Sequence, residues 1–201
     1  GCIRAEQNNM TEAITYFEKS VELNPRNVKA DDLKDMGLLA QKIAPFGWHL
    51  QFHLDARNLT TLGPRLRKLP VQVVVDHLGH MPVETGVDHP GFQELLAMLK
   101  DGCAWVKLSS PNRFGDPRPP YPSVIPYAHA LIEAAPDRCV WATDWPHSRF
   151  GGFMPNDGDL LDLLAVLLGD VLQVLGEVSG AHGCSLGWRL ASTTFNGSRG
   201  C

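Results

Sequence analysis

No stretch of this 201-residue sequence is apolar enough to cross a bilayer. The one long apolar run, Leu160 to Leu175, is broken by Asp162, Gly169 and Asp170, and each central aspartate would cost roughly 2.5 to 3.5 kcal/mol in lipid. It is expected to pack as an ordinary helix. No block of like charge stands out among 18 basic and 22 acidic side chains, which leaves no electrostatic case for nucleic acid or an anionic membrane. No Cys-x-x-Cys pair occurs, and the five cysteines (2, 103, 139, 184 and 201) are odd in number. That argues against a disulfide framework or a zinc knuckle and for a reducing, cytoplasmic setting. No basic-then-apolar leader opens the chain, which starts at Gly1 rather than Met, so a start inside a longer gene is expected. No Gly-rich phosphate loop follows any apolar run. Finally, no His-x-His pair exists anywhere, and with it goes the simplest way to place two imidazoles on one strand face around a metal.

What is present divides into three parts. Residues 1–30 include Ala13, Phe17, Ser20 and Pro25 at the spacing of a tetratricopeptide second helix, an expected helical remnant that could not bury its own apolar stripe without stacked neighbours. An ordinary amphipathic helix is the other reading of that segment. Residues 31–166 alternate strand and helix. A first helix spans 31–46, with Leu33, Met36, Ala40 and Ile43 repeating at three and four, and Pro45 and Gly47 close it. Short apolar strands are expected at 48–55, 71–78, 103–110 and 139–146, with helices at 58–69, 89–102 and 123–135 and a last one beginning near Asp157. Strands this uniformly apolar, such as Val71 to Val75, belong in a parallel sheet covered by helices. Residues 167–201 end in a Gly-, Ser-, Arg- and Cys-rich stretch without period, expected as an irregular tail and suited to translation out of frame.

Each apolar strand ends in polar residues: His53-Leu54-Asp55, Asp76-His77, Lys107-Leu108-Ser109 and Asp144-Trp145-Pro146-His147. Four such endings in succession are hard to assign to packing, because unpaired buried charge is costly. In a (β/α) barrel those ends form the reacting rim. A carboxylate there can take a proton from water and an imidazole can steady a developing oxyanion. Asp144 could instead cap the loop before Pro146, and His77 could be a core histidine with Asp76 as the pocket-facing member. His53 and His49, four apart, point to one strand face, and His53 at the strand end is the one that could reach a pocket; packing or solvent contact is the other reading for either. Lys107 is placed to pair with Asp144 or Asp76.

The combination VVVDHLGHMP, WVKLSS followed by Asn112-Arg113, and WATDWPHS resembles the amidohydrolase-related lactonases of the metal-dependent hydrolase superfamily, the group that includes 2-pyrone-4,6-dicarboxylate lactonases. The similarity covers residues 31 to about 166. It implies an α/β fold, namely part of a TIM barrel of about four βα units behind the repeat-like segment. It also implies a hydrolase that opens a lactone or related cyclic ester on a small carboxylated substrate. By resemblance, Asp144 activates water, His77 holds the carbonyl and Arg113 grips a substrate carboxylate; a solvated surface arginine is the alternative for Arg113. His80 stands where the group more often carries a carboxylate-binding arginine, which points to a different preferred substrate. The metal and cofactor needs stay open: none, or the divalent ion of the superfamily.

A complete barrel usually takes about 250 residues. The absent His-x-His strand and the length together imply that the first barrel strands are missing and activity is impaired. A half-barrel would have open edges and an uncovered inner face, so self-association through that face is expected. The competing reading is a non-catalytic interaction protein, or a truncated or fused gene product, that uses the repeat-like helix.

Overall fold

A computed structural model describes residues 30–147 and 152–178. All but the last residue of the repeat-like segment lies outside the described residues, as does the tail from 179 onward.

Helix α1 (Ala30–Ile43) buries Met36, Ala40 and Ile43 of the stripe that its three-and-four spacing predicts, and Leu39 beside them. Gly47, at φ 67°, turns the chain out of the helix and donates its N–H to Ala44 O. There follow β1 (Leu50–Phe52), α2 (Leu59–Leu66), β2 (Val73–Val75), α3 (Pro90–Lys100), β3 (Ala104–Leu108), α4 (Ile125–Ala134), β4 (Cys139–Trp141) and α5 (Asp157–Val178). The four strands form one parallel sheet in the order β1-β2-β3-β4. A doubly wound sheet reverses its strand order at a switch point, whereas a barrel wall runs on in sequence. The unbroken order identifies four consecutive βα units of a partial TIM barrel.

The strands are shorter than the apolar runs that announce them. Their last expected residues turn away toward the rim, and among the described residues β1 and β4 are the edges of the sheet, each pairing on one side. Along β3, Ala104, Val106 and Leu108 are buried and belong to the core shared with the helices, while Trp105 and Lys107 are only half-buried on the inner face. On β2 and β1 the register puts Val73, Val75 and Leu50 with the helices, and Gln51 with Val74 and Trp105 on the inner face. Helices α2, α3, α4 and α5 pack each against the next. Regular structure continues through α5 to Val178, past Leu167 where an irregular tail is expected; Leu160, Leu163 and Leu167 bury its apolar side. Among the described residues no helix is long and apolar enough to cross a membrane. Cys139 is free and buried.

Close packing fixes how the first unit meets the second. The side chain of His89 caps α3 by accepting from Gly91 N at 3.0 Å. A Cβ on Gly91 would lie 2.2 Å from Ala56 O and 2.7 Å from Arg57 Cα. Those are backbone atoms, which cannot swing away. Gly91→Ala should therefore cost about 3 kcal/mol of stability through overpacking, read as a fall in the urea midpoint at unchanged slope.

Candidate active site

The side chains at the C-terminal strand ends gather at one rim. Phe52 O holds Asp76 N at 2.9 Å, carrying the β1–β2 pairing to the residue before His77. His77, Leu78 and His80 then take left-handed backbone, with φ of 52°, 52° and 49°. Ser110 and Tyr121 after β3 (54° each) and Asp144 and His147 after β4 (68° and 54°) do the same. These seven are the described non-glycine residues with positive φ, and all lie in the loops after β2, β3 and β4. Such conformations cost of order 1–3 kcal/mol each and gather where a fold serves a task other than its own stability.

His77 is 8% exposed and central. Its Nδ1 lies 2.8 Å from Ser109 Oγ and its Nε2 lies 3.8 Å from Asp144 Oδ1. The rings of His53 and His77 stand edge to face at 5.0 Å, and His53 to His80 is also 5.0 Å. Arg113 Nη2 donates to Asp144 Oδ2 at 3.2 Å, and Ser110 Oγ donates to the same oxygen. All five sequence-selected residues, His53, His77, His80, Arg113 and Asp144, are thus linked by direct neighbours. His49 is not among them: it precedes β1 and is exposed, and it feels the charge of Lys107.

Two charges sit on the inner face just below. Lys107 Nζ lies 3.2 Å from Asp76 Oδ1 and donates to Gln51 Oε1 at 2.6 Å, and Gln51 Nε2 donates to Asp76 Oδ2 at 2.9 Å. Of the two acids open to Lys107 by sequence, Asp76 is the partner. This closed triangle across three strands is a floor to the site. Asp76 Oδ1 has the lysine at ion-pair distance without a well-aligned hydrogen bond.

Burial lowers the pKa of His77 from 6.5 to about 4; Asp144 and Asp76 oppose that shift, and His53 and Arg113 add to it. The imidazole is therefore neutral at pH 7. Burial alone would raise the Asp144 carboxyl, but the hydrogen bond from Ser110, the His77 charge and the Arg113 guanidinium outweigh it and hold it below its usual range. Since His77 is uncharged at neutral pH, Ser110 and Arg113 are the partners that act there. The rim thus pairs an ionised carboxylate with a neutral imidazole.

His53, Asp76 and His77 each place a donor atom within 4.8 Å of the others, a set of two nitrogens and one oxygen that invites a divalent-ion reading. Occupancy argues against it. Asp76 already shares its oxygens between Gln51 and the Lys107 ammonium, and Asp144 is held by Arg113. An ion bonded to Asp76 would sit beside a fixed positive charge. Two acids and two bases already balance, and the donor set does not fit a resident cation as it stands.

Ser109, Ser110 and Gln51 are partners to which sequence reasoning gave no role, although Ser109 stood among the polar strand endings. The doubled serine after an apolar strand was the available signal for the first two. Asn112 and His147 are also buried, at 7% and 3%, and neither side chain has a hydrogen-bond partner among the described residues. Native folds leave few such groups without a reason.

The profile of the family described as amidohydrolase matches residues 10–177. A 4-sulfomuconolactone hydrolase of Hydrogenophaga intermedia is 39% identical over 119 residues, 58% of this chain and 39% of that protein. A 2-pyrone-4,6-dicarboxylate hydrolase of Comamonas testosteroni is 34% identical over 158 residues, 74% of this chain and 50% of the relative. Among solved structures, a Pseudomonas putida protein assigned as a 2-pyrone-4,6-dicarboxylic acid hydrolase superposes with a TM-score of 0.57 at 26% identity, covering 67% of this chain and 50% of that one. The chain spans about half the length, or less, of these relatives.

Proposed function

Because the chain belongs to the amidohydrolase family, we propose that its rim hydrolyses a lactone or related cyclic ester bearing a carboxylate, with Asp144 as the base toward water and His77 as the group that receives the oxyanion. The observation that carries this reading is the approach of His77 Nε2 to within 3.8 Å of Asp144 Oδ1, one neutral and one ionised, at the ends of different strands. Relatives named as hydrolases of sulfomuconolactone and pyrone dicarboxylate supply the substrate class.

In the proposed step a water between the two groups gives a proton to Asp144 Oδ1 while its oxygen bonds to the lactone carbonyl carbon. The carbonyl oxygen takes the electron pair and accepts a hydrogen bond from His77 Nε2–H. Collapse restores the carbonyl and breaks the ring C–O bond, and the leaving oxygen takes the proton back from Asp144. Arg113 is placed to share its planar fork between Asp144 and a substrate carboxylate. His53 and His80 line the same side and offer ring nitrogens for the remaining polar atoms of the substrate. The decisive experiment follows ring opening of pyrone dicarboxylate by its absorbance with the 201-residue chain. No turnover at micromolar protein would reject the reading.

The acid side of the rate profile should report His77. With that imidazole at about 4 instead of 6.5, activity should hold from neutral pH down to about pH 5 and fall below it. The same shift has a stability consequence. Between 6.5 and about 4 the unfolded chain binds a proton that the native state does not, so stability should decline as pH falls through that window. An activity midpoint near 6.5 would show an unperturbed histidine.

Among the described residues the sheet is half a barrel wall with β1 and β4 as edges. A two-fold axis along the barrel would set β4 of one copy beside β1 of the next, parallel and eight strands in all, and would cover the inner face. Light scattering is then expected to give about 44 kDa, twice the 22.1 kDa of the chain. A constant monomer mass up to tens of micromolar would count against this closure.

A further inference from the structure

Strand β3 lies between β2, whose end carries His77, and β4, whose end carries Asp144. It finishes in two consecutive serines, both buried, at 2% and 0% exposure. Ser109 Oγ is 2.8 Å from His77 Nδ1 and Ser110 Oγ donates to Asp144 Oδ2. Adjacent residues of a strand point to opposite faces, so two neighbours do not ordinarily serve one rim. Here the alternation is broken: Ser110 has φ 54° and ψ 50°, and Pro111 follows it into a short turn. That single left-handed residue lets both hydroxyls face the same rim, one toward each neighbouring strand.

The ring of His77 has two neutral tautomers. If Nδ1 carried the proton, the lone pair of Nε2 would face the Asp144 carboxylate across 3.8 Å, acceptor against acceptor. If Nε2 carries it, an N–H dipole faces that carboxylate, and Nδ1 is left to accept from Ser109. The charge arrangement and the serine therefore favour the same tautomer. On the Asp144 side, Ser110 and Arg113 both occupy Oδ2, which leaves Oδ1 as the oxygen turned toward His77.

We propose that Ser109 and Ser110 act as a positioning pair: Ser109 donates to His77 Nδ1 and so places the ring proton on Nε2, while Ser110 holds Asp144 by Oδ2 and leaves Oδ1 to take the proton from water. Neither serine touches the reacting atoms. The catalytic meaning of the pair rests on the proposed hydrolase reading; its structural content does not.

The test therefore has an arm that needs no turnover. In protein labelled with 15N-histidine, two-bond correlations assign the tautomer of each ring. At pH 7, His77 should carry its proton on Nε2, Ser109→Ala should shift the ring toward a mixture, and Ser109→Thr, which keeps the hydroxyl, should restore it. A wild-type ring protonated on Nδ1, or a tautomer indifferent to Ser109→Ala in a variant whose other histidine signals are unchanged, would overturn the first half. For the second half, Ser110→Gly removes the hydroxyl while suiting the left-handed backbone. The 13C carboxyl titration of Asp144 should move upward in it, and an unmoved titration would overturn that half. If the chain turns substrate over, Ser109→Ala should lose about 10- to 100-fold in kcat at nearly constant KM, as loss of an orienting partner does. If it turns nothing over, the hydrolase reading fails while the two spectroscopic results still decide the pair.

Discussion

Asp144→Asn is expected to lower kcat for lactone opening by about 10³-fold, within the range for loss of a positioned general base, and to leave the melting temperature almost unchanged. The two halves of that expectation have separate physical grounds. An amide of the same shape can still accept from Ser110 and sit beside Arg113, but it cannot take a proton from water. Asp144 has φ 68°, and asparagine is the residue most at ease there after glycine. Alanine at the same place would lose the hydrogen bonds and strain the backbone together, so it would confuse chemistry with folding. Steady-state rates and a thermal scan on the same preparation check both parts. Equal rates for the two proteins would take Asp144 out of the chemistry; a large loss of melting temperature would make it a structural cap.

The fold was legible because its signal is one of succession. Four apolar runs alternated with four helical stretches, and none of the individual runs had to be placed well for the pattern to emerge. Strand ends were less legible. Runs expected to span eight residues form strands of three to five, because the residues that extend them, such as His77 and Ser109-Ser110, leave the ladder to take part in the rim. The polar interruption that marked the site was also what shortened the strand.

Within the site, one-dimensional spacing could suggest which side chains end up at the rim but not which atom meets which. Lys107 was open to two acids by sequence. The β1–β2–β3 register settles it, since Gln51, Asp76 and Lys107 face inward on three neighbouring strands and close a ring. The serine contacts were hidden for a different reason. Strand alternation predicts that Ser109 and Ser110 diverge, and the left-handed turn at Ser110 reverses that prediction. Charge state was hidden as well: the sequence gives His77 an ordinary imidazole, and its burial, with His53 edge to face against it, makes it neutral well into the acid range.

Neutrality of His77 is what its replacement should expose. His77→Asn is expected to reduce kcat by about 10²- to 10³-fold, the loss seen when one oxyanion donor is removed, with a smaller change in KM. Asparagine tolerates the φ of 52° and keeps an N–H donor, but its side chain is shorter than imidazole and would leave that donor short of the carbonyl oxygen. If His77 served instead as a cationic binding group, removal would weaken substrate binding, KM would carry the loss, and activity would rise below pH 6.5 in the wild type as the ring charged. Burial against Ser109 with Nε2 turned toward Asp144 gives the opposite sign: protonation spends the ring on an ion pair with the base and removes both partners from the reaction at once. The split between kcat and KM, measured at pH 7 and again near pH 5, separates the two roles.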